Sequence, residues 1–85
     1  MARIGVVAII IKGSREPVPE MQKILSEFGD VIVARTGIPD FEHAIFTISI
    51  VVRGSAERIS ALTGRLGRLN TVNVKSAITA VEVED

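Results

Sequence analysis

The sequence contains one stretch that decides its fold, Ile45-Phe46-Thr47-Ile48-Ser49-Ile50-Val51-Val52-Arg53. Four apolar residues recur at every second position, Phe46, Ile48, Ile50 and Val52, and mostly polar residues lie between them. Because side chains in a β-strand point to opposite faces with a period of two, this alternation predicts a strand with one strongly apolar side. The other elements are predicted as helices that cover this strand or as strands that pair with it.

Length and composition describe one small domain with an aliphatic core. The chain has 85 residues, of which 47% are hydrophobic, but its only aromatic residues are three phenylalanines. We therefore expect a single domain over residues 1–85. Ten basic residues balance ten acidic ones, so no overall charge would attract nucleic acid or an anionic membrane. The absence of cysteine excludes disulfides and thiolate metal ligands and is typical of a cytoplasmic protein.

The segment before the deciding strand predicts a strand, a helix and a second strand. Residues 3–12 are apolar on both faces but far fewer than the roughly 20 residues of a membrane helix, so a buried strand is expected. Pro17 suits the first turn of a helix, and Gly29 is predicted to end that helix in the left-handed conformation. Residues 31–35 then form the second strand, with the hairpin turn at residues 36–40.

The segment after the deciding strand predicts a second helix and a fourth strand. Ser55 is placed to cap the helix. Gly64 and Gly67 lie inside it and cost about 1 kcal/mol each relative to Ala. That cost predicts a close approach of the helix backbone to the sheet or to another subunit. Residues 71–78 alternate as a strand, and the tail at residues 81–85 extends the strand or frays.

The two halves of the chain repeat each other. Apolar residues recur at one constant offset, as in the pairs Met21 and Leu62, Leu25 and Leu66, and Val33 and Val74. Two βαβ halves at a fixed spacing predict a ferredoxin-like βαββαβ sandwich, an α+β fold. Right-handed crossovers give an antiparallel sheet of order 4-1-3-2 with both helices on one face. The other face keeps one apolar side of the first strand, so we expect a homo-oligomer, most simply a dimer.

Residues suited to catalysis or metal binding are scarce. His43 is the only histidine, and in a predicted turn beside Asp40 and Glu42 it is most simply solvated. Without cysteine or a second histidine, neither a nucleophilic triad nor a closed metal site is expected, so we predict no catalytic residue, metal or other cofactor. The central strands also lack the stacking aromatics and basic neighbours with which a sheet binds nucleic acid.

Two segments carry candidate ligand-binding residues. They are Gly13, Ser14 and Arg15 in the loop after the first strand, and Arg35, Thr36 and Gly37 near the second strand's predicted end. Backbone N–H groups and guanidinium groups suit an anion. The first and second strands run parallel in the predicted sheet, so both segments are expected at one rim, where a subunit interface would hold a small anionic effector. The alternatives are a helix-entry loop with a surface arginine and an ordinary turn.

Several stretches together resemble a known family. They include Arg35-Thr36-Gly37-Ile38-Pro39, Leu62-Thr63-Gly64-Arg65-Leu66-Gly67 and Val74-Lys75-Ser76. Over nearly its whole length the chain is similar to the small regulators ascribed to the iron-only hydrogenase system. These are stand-alone ACT-like domains related to the C-terminal domain of the nickel-responsive regulator.

The resemblance implies an ACT-like fold and a non-catalytic regulatory role, with a link to transcription regulation. It implies a dimer or tetramer that binds a small effector such as an amino acid at a subunit interface, or a partner protein. It does not extend to nickel sensing, because Gly37-Ile38-Pro39 stands where metal ligands would be and cysteine is absent. No direct contact with nucleic acid is expected either, since the chain has no ribbon-helix-helix segment before the first strand.

Two alternatives come from other classes of protein. A small enzyme of the acylphosphatase type would need Arg15 in the helix-entry loop and an asparagine on a central strand, whereas the only asparagines are Asn70 and Asn73, at or near the predicted edge strand. A purely structural oligomerisation module would bind no ligand.

Overall fold

The computed structural model describes residues 1–84 and contains four strands and two helices. In chain order they are β1 (Ala2–Lys12), α1 (Val18–Glu27), β2 (Ile32–Asp40), β3 (Ile45–Gly54), α2 (Ala56–Gly67) and β4 (Val72–Val83). The sheet order is β2-β3-β1-β4, which is the predicted 4-1-3-2 order seen from the other edge. All three pairings are antiparallel. The predicted ferredoxin-like βαββαβ fold is therefore confirmed.

The core lies between the two helices and one face of the sheet. On the deciding strand, now β3, Ile48, Ile50 and Val52 are buried as predicted, and Phe46 packs partly buried against the same cluster. The alternate residues of β1, the apolar faces of both helices and two residues after α1 complete the core; they are Val7, Ile9, Ile11, Met21, Ile24, Leu25, Phe28, Val31, Ile59, Leu62 and Leu66. Burying one such aliphatic side chain contributes about 1.5–3 kcal/mol, so this single cluster holds the fold together.

The end of α1 differs from the prediction. Gly29 does not adopt a left-handed conformation; among the described glycines only Gly13 has a positive φ, 89°. Instead α1 ends at Glu27, and the N–H of Phe28 donates to the carbonyls of Ile24 and Leu25, both at 3.2 Å. These shared hydrogen bonds tighten the last turn and satisfy the free carbonyls, so no left-handed residue is required.

The hairpin between β2 and β3 lies later in the chain than predicted. Residues 36–40 are not the turn, because β2 continues to Asp40 and pairs with β3 up to Ile45. The turn is at residues 41–44, where the Asp40 carboxylate accepts hydrogen bonds from the N–H and the ring of His43 at 3.2 and 2.9 Å. Proline at position 39 is compatible with the strand because β2 is a sheet edge.

A bulge in β2 breaks the predicted repeat. Ile32 pairs with Val52 and Ala34 pairs with Val51, so Val33 is an extra residue in the strand. Val33 is 54% exposed, whereas Val74, its predicted equivalent, packs against the core. The extra residue changes which side chains face inwards, and a period-two reading does not detect such a change.

The second half of the chain follows the prediction more closely. The Ser55 hydroxyl accepts a hydrogen bond from the N–H of Arg58 at 3.1 Å, which confirms the predicted cap. The predicted close approach of Gly64 and Gly67 to the sheet is wrong, because a Cβ at either position would meet no described atom within 4 Å. The tail extends β4 as far as Val83, and Asp85 lies outside the described residues.

Candidate functional site beside Phe46

The loop after β1 is attached to the hairpin turn that precedes β3. The N–H of Gly13 donates to the carbonyl of Ala44 at 2.7 Å, and the positive φ of Gly13 is a conformation that glycine adopts without strain. The Ser14 hydroxyl accepts a hydrogen bond from the N–H of Glu16 at 3.1 Å. These contacts fix the path of the chain into α1, so Gly13 has a structural role here.

Arg15 is held by two aromatic rings. Its guanidinium carbon lies 4.6 Å from the centroid of Phe46 and 5.6 Å from that of Phe41, both within the range of a cation–π interaction. Within residues 1–84 no carboxylate pairs with this guanidinium. Stacking uses the face of the group and leaves its in-plane N–H groups available to an anion.

Arg35 approaches the same region from the edge strand. One of its guanidinium nitrogens donates to Oε1 of Gln22 on α1 at 2.7 Å. Gln22 carries no charge, and no ion pair of Arg35 occurs in the described chain, so its positive charge is not neutralised. Arg35 pairs with Ile50 in the middle of β2. Arg35 was predicted near the end of the second strand, but β2 continues five residues beyond it, to Asp40.

A cleft of about 110 Å³ connects these groups. It is lined by Gln22, Leu25, Arg35, Gly37, Phe46 and Ile48, and Arg15 lies over the Phe46 ring. We call this set, with Arg15, the Phe46 cleft. Gly37 allows the ring its position, since a Cβ there would lie only 3.2 Å from Cε1 of Phe46. The floor is apolar and two guanidinium groups are nearby, an arrangement suited to a small anion with an apolar portion.

The six predicted ligand residues thus separate into different environments. Arg35 and Gly37 line the Phe46 cleft, and Arg15 lies over its Phe46 ring. Thr36 lies on the opposite face of the sheet, because neighbouring residues of a strand alternate. Ser14 lines a different cavity, of about 290 Å³, together with Glu16, Pro17, Leu69, Asn70 and Thr71. That cavity includes a carboxylate and no cation in its lining, so it does not suit an anion.

Sequence reasoning missed Gln22, Phe41 and Phe46 as members of this site. Gln22 gave a weak signal, as a polar residue three positions before core residue Leu25 and hence on the same side of α1. Phe41 contacts Arg15 and is 82% exposed. Its exposure could have marked it as a binding residue, but exposure cannot be read from composition. Phe46 was assigned to the core, which describes only part of its contacts.

Two other arginines are neutralised by carboxylates. Arg58 forms two hydrogen bonds to Asp30, at 2.6 and 3.2 Å, and Arg65 pairs with Glu27. The hydrogen bonds from these guanidinium groups lower the pKa of both carboxyl groups, and Asp30 raises the pKa of Arg58. The guanidinium groups also lie near the Phe28 ring, at 4.3 and 5.7 Å. Arg58 and Arg65 therefore join α2 to the end of α1 and to the turn after it, and they are not free to bind an anion.

A third cavity, of about 450 Å³, lies where β3 passes into α2. It is lined by Ala2, Asp30, Val31, Arg53, Gly54, Ser55, Arg58 and Glu84. Two carboxylates offset its two arginines, so its charge is balanced. Metal ligands are scarce throughout residues 1–84, where no group of three or more His, Asp or Glu side chains could hold an ion. Neither described helix has the length and apolar character required to cross a bilayer.

Comparison with solved structures identifies the fold. The ACT domain of a GTP pyrophosphokinase from Chlorobium tepidum matches with a TM-score of 0.73 and 15% identity, over 91% of this chain and 100% of that one. A protein titled "putative glycine cleavage system transcriptional repressor" matches with a TM-score of 0.69 and 14% identity, over 100% of this chain and 50% of that one. The fold is therefore ACT-like.

The family follows from the sequence. Residues 3–76 match the model of the TM1266-like family, described as "Iron-only hydrogenase system regulator, putative", and the chain belongs to this family. The structure of an uncharacterised protein from Thermotoga maritima matches with a TM-score of 0.87 and 26% identity, over 92% of this chain and 98% of that one. No curated protein sequence matches the chain. The resemblance seen in the sequence is thus confirmed.

Proposed function

We propose that this chain is a non-catalytic regulatory module whose Phe46 cleft binds a small anionic effector. One observation supports the proposal above all: Arg35 lines an apolar cleft, Arg15 lies over the Phe46 ring that forms part of its wall, and no described carboxylate neutralises either guanidinium. What distinguishes these two arginines is their position beside an apolar cleft, where a bound anion would neutralise them. Membership of a family described as regulators agrees with this role.

The cleft indicates the chemistry of the effector. Leu25 and Ile48 form an apolar floor, while Gln22 and Arg35 supply polar contacts at its margin. A carboxylate with a short aliphatic chain, such as a small amino acid or keto acid, would place its charge on the arginines and its carbon chain on the floor. A volume of about 110 Å³ limits the buried portion to a few carbon atoms.

Binding at this position would be transmitted through α1. Arg35 belongs to β2, and its hydrogen bond to Gln22 joins the edge strand to that helix. An anion that draws the Arg35 guanidinium towards itself would compete with the Gln22 amide and alter the contact between α1 and the sheet. A second copy or a partner protein in contact with α1 would then respond to the effector. A homo-oligomeric ACT-like module would regulate a hydrogenase system in this way.

The arrangement of residues does not favour an enzyme of the acylphosphatase type. Asn73 pairs with Ile10 and lies on the open face of the sheet, whereas Arg15 lies over Phe46 on the helix side. Asn70 lines the cavity that contains Ser14 and Glu16, which includes no arginine in its lining. Because the arginine and either asparagine lie in different places, they do not form one site for a phosphate and an attacking water.

The test is a thermal-shift screen of the purified protein against amino acids, short-chain carboxylates and nucleotides, followed by calorimetric titration of each hit. Replacement of Arg15 or Arg35 by Ala removes one charged contact, worth about 1.5–3 kcal/mol, and should weaken binding roughly tenfold to a hundredfold. Arg68→Ala is the matched control, since it removes an exposed positive charge at the end of α2. If all three variants bound the effector with the affinity of the wild type, the site would be refuted.

A further inference from the structure

The open face of the sheet carries an apolar row that crosses all four strands. Val6 in the central strand β1 pairs with Val51 on one side and with Ala77 on the other. Val51 in turn pairs with Ala34 on the edge strand β2. One residue from each strand therefore lies at the same level, on the face that the helices do not cover.

This row lies in a wider apolar surface with few charges. Val6, Ile10 and Val51 are 45%, 38% and 37% exposed, although all three belong to the two central strands. Lys75 pairs with Ala8, one level away from the row, and Arg53 lies at the level of Ile4 on the other side of it. The row itself contains no polar side chain. Exposed apolar residues at the centre of a sheet are typical of a surface that is covered by a partner.

The size of the face matches one half of a standard interface. Four strands about 4.8 Å apart give a width of roughly 19 Å, and ten residues at about 3.3 Å each give a length of roughly 33 Å. The resulting footprint is about 600 Å², without the extra area that protruding side chains add. It approaches the roughly 800 Å² that each partner contributes to a stable complex. One flat partner of equal size would cover it.

We propose that the partner is a second copy of this chain, with the two open faces packed against each other. A two-fold axis along the strands, between β1 and β3, would place Val6 of each copy over Val51 of the other, and Ala34 over Ala77. The same operation places Lys75 over Thr36, because both lie at the level of Ala8. No like charges oppose each other, so the face is complementary to itself.

This arrangement specifies the interface of the proposed homo-oligomer. It does not require that an effector binds in the Phe46 cleft. The Phe46 cleft lies on the helix side of the sheet, so face-to-face packing leaves it open in both copies. The interface therefore differs from the expected one, in which the effector lies between subunits. Variants of the open face should consequently change the association state without changing the affinity for an effector.

The test is sedimentation velocity and light scattering of the wild type and of Val6→Lys at micromolar concentrations. The wild type should be a dimer. Val6→Lys should raise the dimer dissociation constant at least about a hundredfold, because it buries an unpaired charge in the row. Ile78→Lys is the matched control, since Ile78 is 41% exposed but lies on the helix side of β4, opposite Gly5, and it should leave the dimer intact. Circular dichroism verifies that both variants fold.

A cross-linking experiment tests the same interface without disturbing its charge. The natural chain has no cysteine, so Val51→Cys introduces a single thiol on the open face. A short bismaleimide should join two copies of this variant but not two copies of Ile78→Cys. A wild-type monomer, or a dimer that both Val6→Lys and the cross-linker leave unaffected, would overturn the proposal. The first outcome would indicate a different partner protein, and the second a dimer formed through a sheet edge.

Discussion

Substituting Gly64 by alanine should make this protein more stable. Gly64 is exposed within α2, and a Cβ there would meet no described atom within 4 Å. The new methyl group therefore causes no clash, while it reduces the conformational freedom of the unfolded chain. Glycine in the middle of a helix is about 0.5–1 kcal/mol less favourable than alanine. For a domain of this size, that gain should raise the melting temperature by roughly 2–8 °C.

The same substitution at Gly5 should have the opposite effect. A Cβ at this position would lie 2.5 Å from Cδ1 of Ile78 and 2.7 Å from the carbonyl oxygen of Ala77. The Ile78 side chain could rotate, but the carbonyl belongs to the backbone of β4 and would move only if the pairing of β1 with β4 shifted. Overpacking of this kind typically costs about 1–3 kcal/mol. The two alanine variants should therefore lie on opposite sides of the wild type.

Urea denaturation followed by circular dichroism measures both effects. The unfolding free energy should be highest for Gly64→Ala, intermediate for the wild type and lowest for Gly5→Ala. The slope of this free energy against urea concentration should not change. A Gly64→Ala variant less stable than the wild type would refute the reasoning, because it would show that something covers the outer face of α2. The alternative raised from the sequence, contact of this helix with another subunit, would then be favoured. If another subunit covers the helix, the stability difference should depend on protein concentration, whereas an error about helix propensity would leave it unchanged on dilution.

Three further predictions follow from other parts of the molecule. Ser55→Ala should cost about 0.5–2 kcal/mol of stability in the same urea assay, because the N–H of Arg58 loses its cap, and Ser55→Asp should restore it. Glu27 and Asp30 have pKa values lowered by their arginine partners, so their contribution to stability is present at neutral pH and is lost as the pH falls below about 4. The wild type should accordingly lose more stability between pH 6 and pH 3 than a Glu27→Gln, Asp30→Asn double variant, and equal losses would contradict this assignment. Added Zn²⁺ or Ni²⁺ should leave the melting temperature unchanged, since no group of three or more His, Asp or Glu side chains within residues 1–84 could hold an ion. A stoichiometric shift would disprove this.

The features of the fold that depend on simple periodicity were predictable from the sequence. The alternation in β3 and the helical spacing of Met21 and Leu62 fixed the core face of each element, and two βαβ halves then left few possible topologies. The bulge at Val33 was not predictable, because an extra residue is tolerated at a sheet edge and leaves no sign in composition. The true hairpin turn was missed for a related reason: Gly37 and Pro39 suit a turn, but an edge strand accepts both.

The candidate site was predictable only in part. Arg15 and Arg35 are the arginines near the first loop and the second strand, and reasoning about charge identified both. Their common neighbour Phe46 was not identified, because an aromatic residue on the apolar side of a strand is expected to lie wholly within the core. The hydrogen bond between Arg35 and Gln22 depends on how α1 lies across the sheet, which is a tertiary property that no local pattern encodes.

The central position of β1 also has a consequence for the synthesis of the protein. This strand is the most apolar in the chain and leaves the ribosome before its two neighbours, β3 and β4, which begin at Ile45 and Val72. At roughly 5–20 residues per second, several seconds pass before β4 can complete its pairing. Throughout that interval the nascent chain presents a β-branched segment with free hydrogen-bonding groups, the type of segment that aggregates and that chaperones bind. Chaperones should therefore bind this strand more than any other part of the nascent chain, although in the finished sheet it is paired on both sides.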